Sequence, residues 1–188
     1  MKKNFLFPFL LVLAFAFNLM AQTTETKPAP TTPPEANPAD VASIEASTKA
    51  VYDVISGEAG KQRDWNRFRS LFHPSARLIP TGKNPTTGLV GARAVTPDEY
   101  IQRSEAFMMK EGFFEKETAN RTEVYGNIAH VFSTYEAFRK ADETKPFMRG
   151  INSIQLLNDG KRWWVMSIYW LAETPENPLP EKYLNSRE

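Results

Sequence analysis

From about residue 113 to residue 171, this sequence breaks into four stretches rich in aromatic and β-branched residues, and the breaks themselves are made of turn residues. The stretches 113–124, 128–139, 147–157 and 162–171 each read as a strand. Gly126-Asn127 and Asn158-Asp159-Gly160 supply hairpin turns, which predicts an antiparallel sheet. Everything helical comes earlier. Asn37-Pro38-Ala39-Asp40 combines a side-chain cap, a proline in the first turn and an acid at the positive helix end. Ile44, Thr48, Val51, Tyr52 and Ile55 then recur on one helical face, and Gly57 ends that helix. Asp64 caps a second helix carrying Trp65, Phe68, Leu71 and Phe72, which His73-Pro74 stops, and 76–79 reads as a short strand. Thr96-Pro97-Asp98-Glu99 is a capping box opening a third helix, whose face holds Tyr100, Ser104, Phe107 and Met108 and whose end is Gly112. Helices first and strands last predict an α+β domain, with three helices packed on one face of a curved antiparallel sheet.

The flanks carry a different composition. Residues 1–21 read as a secretory signal peptide: Lys2 and Lys3, an apolar run from Phe5 to Leu19, and Ala21 at the cleavage position. That run is short against the roughly 20 apolar residues of a bilayer span, and Pro8 and Asn18 interrupt it. The expectation is a cleaved leader and a periplasmic or secreted protein without stable membrane insertion, an uncleaved anchor being the alternative. Residues 22–36, mostly Thr, Pro, Glu and Ala, read as a disordered tether. One domain spans 37–173, and 174–188 is expected to be an extended tail that crosses a neighbouring subunit or covers a pocket mouth. Removing Lys2 and Lys3 turns 23 basic and 22 acidic residues into 21 and 22, a near-neutral balance that argues against nucleic acid or anionic lipid as partner. With no cysteine there is no disulfide and no thiolate zinc site, so stability must come from the core.

The order of elements resembles the nuclear transport factor 2-like superfamily, the cone-shaped group that includes SnoaL-like and ketosteroid isomerase-like proteins. Three stretches carry the likeness: Leu71-Phe72-His73-Pro74 at a helix end, Tyr125-Gly126-Asn127-Ile128-Ala129 turning into a strand, and Asn158-Asp159-Gly160-Lys161-Arg162-Trp163 leading into the last one. Ile55-Ser56-Gly57-Glu58-Ala59-Gly60 and Arg63-Asp64-Trp65 look like uncharacterised exported bacterial members of that group. The likeness spans about Asp40 to Glu173. It implies a bent sheet and three helices around an internal pocket, with dimerisation through the sheet. It implies no single activity, because this fold hosts isomerases, dehydratases, cyclases and non-catalytic adaptors.

Candidate site residues follow from alternation along the strands. With only two histidines, a histidine-rich metal site is excluded, and no cofactor motif is present. His73 is the best candidate acid or base, since imidazole titrates near neutrality; the alternative is a ring that bonds open carbonyls at the helix end. His130 shares a strand face with Phe132, Thr134 and Glu136, whereas Val131, Ser133 and Tyr135 take the other, which the resemblance assigns to the cone interior. Alternation on the last two strands groups Arg149, Ser153 and Gln155, then Trp163, Val165, Ser167 and Tyr169. With Tyr52 and His73, the residues Tyr135, Arg149, Ser153, Gln155 and Tyr169 make the candidate pocket, Arg149 being the anchor for an anion. The other reading of this face is a solvated or dimeric surface. No carboxylate falls beside Arg149, and Glu136 lies on the opposite face.

Three functions fit these residues. The first is an exported protein binding a small, partly apolar molecule, anionic if Arg149 anchors it. The second is a cofactor-free lyase or isomerase in which His73 moves a proton and Tyr135 or Tyr169 polarises a carbonyl. The third is a non-catalytic homodimeric interaction module with a filled interior.

Overall fold

Proline and aspartate set the helices where the caps stand, but the first one is broken. In the computed structural model, which describes residues 32–185, Asn37 caps a single turn, α1 (Pro38–Val41). Ser43 then takes an extended backbone, accepts from the Ala46 amide at 3.1 Å and starts α2 (Ile44–Ile55) afresh. A serine that bonds the backbone competes with helix continuation, so the expected single helix is two. Asp64 caps α3 (Trp65–Leu71) as expected. Its end runs directly into β1 (Phe72–Lys83), which is much longer than 76–79, and a short β2 (Val90–Ala92) pairs with its far end. Thr96 and Glu99 close the capping box of α4 (Pro97–Glu111), each side chain accepting from the other's backbone amide. The signal-like segment 1–21 and the tether up to residue 31 lie outside the described residues.

Four long strands follow close to the expected positions: β3 (Phe114–Tyr125), β4 (Ile128–Phe138), β5 (Met148–Asn158) and β6 (Trp163–Ala172). They pair antiparallel in sequence order, and the six-stranded sheet runs β2-β1-β6-β5-β4-β3. The expected all-antiparallel sheet is corrected at one ladder: β1 pairs parallel with β6. Parallel neighbours need a long crossover, and here α4 and the three strands after it supply it.

Two bulges matter for everything below. On β3, Glu117 faces Tyr135 but Ala119 faces Thr134, so Thr118 is the extra residue. On β6, Val165 faces Leu156 but Ser167 faces Gln155, so Met166 is extra. Each bulge reverses the in-out alternation of the strand beyond it. The helices cover the inner face, where Val51, Ile55, Phe68, Phe72, Leu78, Ile154 and Val165 form the core. Fully burying side chains such as Phe68, Leu71 and Phe72, each 1% exposed, stabilises the fold by about 2 kcal/mol apiece.

The tail crosses the outer face of its own sheet instead of the pocket mouth. Glu173 pairs with Arg149 and accepts from the Leu179 amide at 2.8 Å. The 3₁₀ turn Glu181–Tyr183 sits over β3 and β4: Thr134 Oγ1 donates to the Tyr183 carbonyl, Arg121 to that of Lys182, and the Phe132 and Tyr183 rings are 5.0 Å apart.

Candidate functional site

Between the sheet's inner face and α2, α3 and α4 lies a cavity of about 300 Å³. Its walls are mostly apolar: Val51, Ile55, Phe68, Leu78, Phe113, Met148, Ile168 and Trp170. Tyr100, Ser104, Phe107 and Met108 come from the α4 face that periodicity marks out, Arg103 joins them from the same helix, and Phe68 stacks on Tyr100 at 5.5 Å. Into this apolar space β3, β4 and β5 place Glu115, Tyr135 and Asn152.

Glu115 is the unusual group. No cation lies within ion-pair distance of it among the described residues, and burial pushes its carboxyl from 4.5 up to about 7; only a hydrogen bond from Asn152 opposes the shift. Asn152 uses both amide hydrogens, one to Glu115 Oε1 at 3.0 Å and one to the Tyr52 hydroxyl at 3.1 Å. Tyr52 is 2.6 Å from Ser133 Oγ, which in turn donates to Glu117. Because Ser133 spends its proton on Glu117, Tyr52 donates to Ser133, and the bonds run in one direction from Asn152 through Tyr52 and Ser133 to Glu117. Glu115 also faces a second cavity of about 440 Å³ between α2 and β3, lined among others by Thr48, Lys49, Glu117 and Asn120.

Three tyrosines surround this carboxyl. Burial, and next the Glu115 charge, push Tyr52, Tyr100 and Tyr135 well above the ordinary tyrosine range, so each stays a hydrogen-bond donor. The Tyr135 hydroxyl is buried with no partner among the described residues. Leaving such a group unpaired costs about 1–3 kcal/mol, which a ligand acceptor or a water offsets. Gly150, opposite Tyr135 in the β4–β5 ladder, makes room for it: a Cβ there would lie 2.8 Å from the hydroxyl and 2.4 Å from the Leu171 carbonyl.

Of the residues expected in the pocket, Tyr135 lines the cavity and Tyr52 stands in the polar chain behind it. The others are elsewhere. His73 follows the buried Phe72 and points outward, its Nδ1 2.7 Å from Ser75 Oγ and its ring edge-on to Trp164. Arg149, Ser153 and Gln155 lie on the outer face, because the β4–β5 register sets Gly150, Asn152 and Ile154 against Tyr135, Ser133 and Val131. Arg149 bonds Glu173, and Ser153 meets His130 at 3.0 Å. Tyr169 is 49% exposed, since the Met166 bulge turns Ile168 and Trp170 inward in its place. Glu115, Asn152 and Arg103 escape a reading by alternation. The available signal for Glu115 was the carboxylate pair at 115 and 117 on an edge strand. Among the described residues, no group of three or more His, Asp or Glu is placed to hold a metal ion.

No protein-family model matches this sequence, and no curated protein does. Solved structures do. A protein of unknown function with a cystatin-like fold from Nostoc punctiforme is 12% identical at a TM-score of 0.52, over 73% of this chain and 92% of that one. A protein from Kribbella flavida is 12% identical at 0.51, over 71% and 90%. A nuclear transport factor 2-like protein of unknown function from Silicibacter pomeroyi is 17% identical at 0.45, over 70% and 94%. The first two likenesses show the architecture: this chain has the cystatin-like α+β fold. That is the fold the resemblance to the nuclear transport factor 2-like superfamily implied.

Proposed function

We propose that the cavity binds a small, partly apolar carbonyl compound and that Glu115 moves a proton on it without a cofactor, as in an isomerase or lyase. The observation that carries this reading is a carboxyl raised to about 7 by burial inside an apolar cavity, beside tyrosine hydroxyls that remain protonated. A base is most effective when its pKa lies near the working pH, and burial moves this carboxyl toward that range. Deprotonation next to a carbonyl builds charge on the oxygen, and the unpartnered Tyr135 hydroxyl is a preset donor for it. Glu115 takes the role expected of His73, and Tyr135 keeps the role of carbonyl polariser. On the strength of residues 1–21 we place this activity in the periplasm or outside the cell.

The test has two parts. Carbon-13 NMR of glutamate-labelled protein should show one carboxyl, lost in Glu115→Gln, with a midpoint near 7. A panel of small ketones and enones in deuterated water should then show deuterium uptake beside the carbonyl, slowed at least about 100-fold in Glu115→Gln. A Glu115 midpoint in the ordinary carboxylate range would sink the proposal.

A further inference from the structure

We infer that Arg103, not Arg149, is the residue that recognises charge in this cavity, and that the ligand is a small organic anion with its apolar body inside and its carboxylate at the rim. This rests on the small-molecule reading above and adds the chemical class. Arg103 lines the cavity from α4 yet is exposed, so its guanidinium stands where the cavity meets solvent. It lies one turn after Tyr100 and one turn before Phe107, itself 43% exposed, so the rim offers an aromatic surface beside a cation.

On its own helix Glu99, one turn earlier, attracts it through space without forming an ion pair, and the other nearby acids are engaged elsewhere. Asp98 is taken by Arg69 at 2.6 Å, the Glu99 carboxylate accepts from the Thr96 amide at 2.7 Å, and Glu105 accepts from the Trp65 indole at 2.8 Å. Arg103 forms no ion pair with any described residue. Among the cavity's lining residues the only carboxylate is Glu115 on β3, and Tyr100 and Tyr135 stay protonated. The cavity therefore presents at its rim a cation held in no ion pair among the described residues and, in its wall, a carboxyl that burial biases toward the neutral form. That arrangement accepts an anion whose charged end stays at the mouth, where guanidinium can grip two oxygens at once. Size sets the rest: about 300 Å³ equals roughly ten water volumes, which suits a body of about ten non-hydrogen atoms.

Phenylacetate and its uncharged isostere phenylacetamide are of this size. Their affinities for the protein and for the Arg103→Gln variant should be measured by NMR titration, following cavity residues such as Tyr135 and Ile168. Phenylacetate should bind at least about tenfold more tightly than the amide, and Arg103→Gln should erase that preference. Arg103→Lys should restore part of it. Equal affinity of the two compounds, or a preference that survives Arg103→Gln, overturns the assignment while leaving the cavity a small-molecule site. If neither compound perturbs the cavity residues, the small-molecule reading itself fails, and the Arg103 assignment fails with it.

Discussion

Asn152 holds Glu115 by a single hydrogen bond of 3.0 Å, and among the described residues that bond is the only one the buried carboxyl receives. It works against the desolvation that dominates the group, so the Glu115 midpoint of about 7 already includes its help.

Replacing Asn152 with leucine, which is similar in size, should therefore drive the Glu115 midpoint above 7. It should also cost on the order of 1–3 kcal/mol, because Glu115 and Tyr52 both lose their donor. Carbon-13 NMR titration and urea unfolding check the two effects separately. A midpoint that falls would contradict the assigned hydrogen bond.

A carboxyl whose folded pKa is raised binds its proton more tightly in the folded than in the unfolded state. Between the ordinary value of 4.5 and about 7 the folded protein thus holds more protons, and stability falls as pH rises through that window, then levels off. The loss from this one group is on the order of 3 kcal/mol. Glu115→Gln should be more stable than the wild type at pH 8 by that order and should lose the advantage at pH 4. Unfolding curves of both proteins across this range give the difference, in which other carboxylates such as Asp40, lowered by its bond to Arg67, cancel.

Gly150→Ala should destabilise the protein by about 2 kcal/mol or more, since the new methyl would stand 2.4 Å from the Leu171 carbonyl of the neighbouring strand. Thermal unfolding measures it. The same methyl crowds the Tyr135 hydroxyl, so any ligand affinity should drop as well.

Arg63 is 6% exposed and donates to the carbonyls of Ile55 and Gly57, at 2.9 and 2.6 Å, and to those of Glu58 and Lys61 in the loop after α2. Among the described residues it forms no ion pair, and backbone carbonyls take the place of a carboxylate. Arg63→Ala should cost about 3 kcal/mol by stranding those carbonyls, read as a lower urea midpoint at unchanged slope.

Arg149→Ala, by contrast, removes a surface pair with Glu173 and should change stability by less than about 1 kcal/mol. Phenylacetate affinity should stay as it is. A large loss of binding would return Arg149 to the site.

Much of this was readable in the residues. The capping box at Thr96, the cap at Asp64, the hairpin turns after Tyr125 and Leu157 and the helix face of Tyr100, Ser104, Phe107 and Met108 are all local, and the structure has them. The α+β class followed from their order. The site was less readable, for a reason that lies in the sheet. Counting back from the Tyr125–Ile128 turn with no bulge, Glu117 would face Glu136 on the outer side; the extra residue Thr118 places it opposite Tyr135, and Glu115 follows it inward. Met166 does the same on β6, hiding Ile168 and Trp170 and exposing Tyr169.

Caps, turns and periodicities act over a few residues, so the sequence by itself determined which segments are helix or strand and in what order. Inside and outside on a strand depend on parity, which one extra residue reverses, and a bulge is chosen by how neighbouring strands and helices pack. The burial that raises the Glu115 carboxyl is likewise supplied by residues distant in the chain, from Val51 to Trp170. Only the tertiary structure decided that the carboxyl in the cavity wall is Glu115 and that the cation lining the cavity is Arg103.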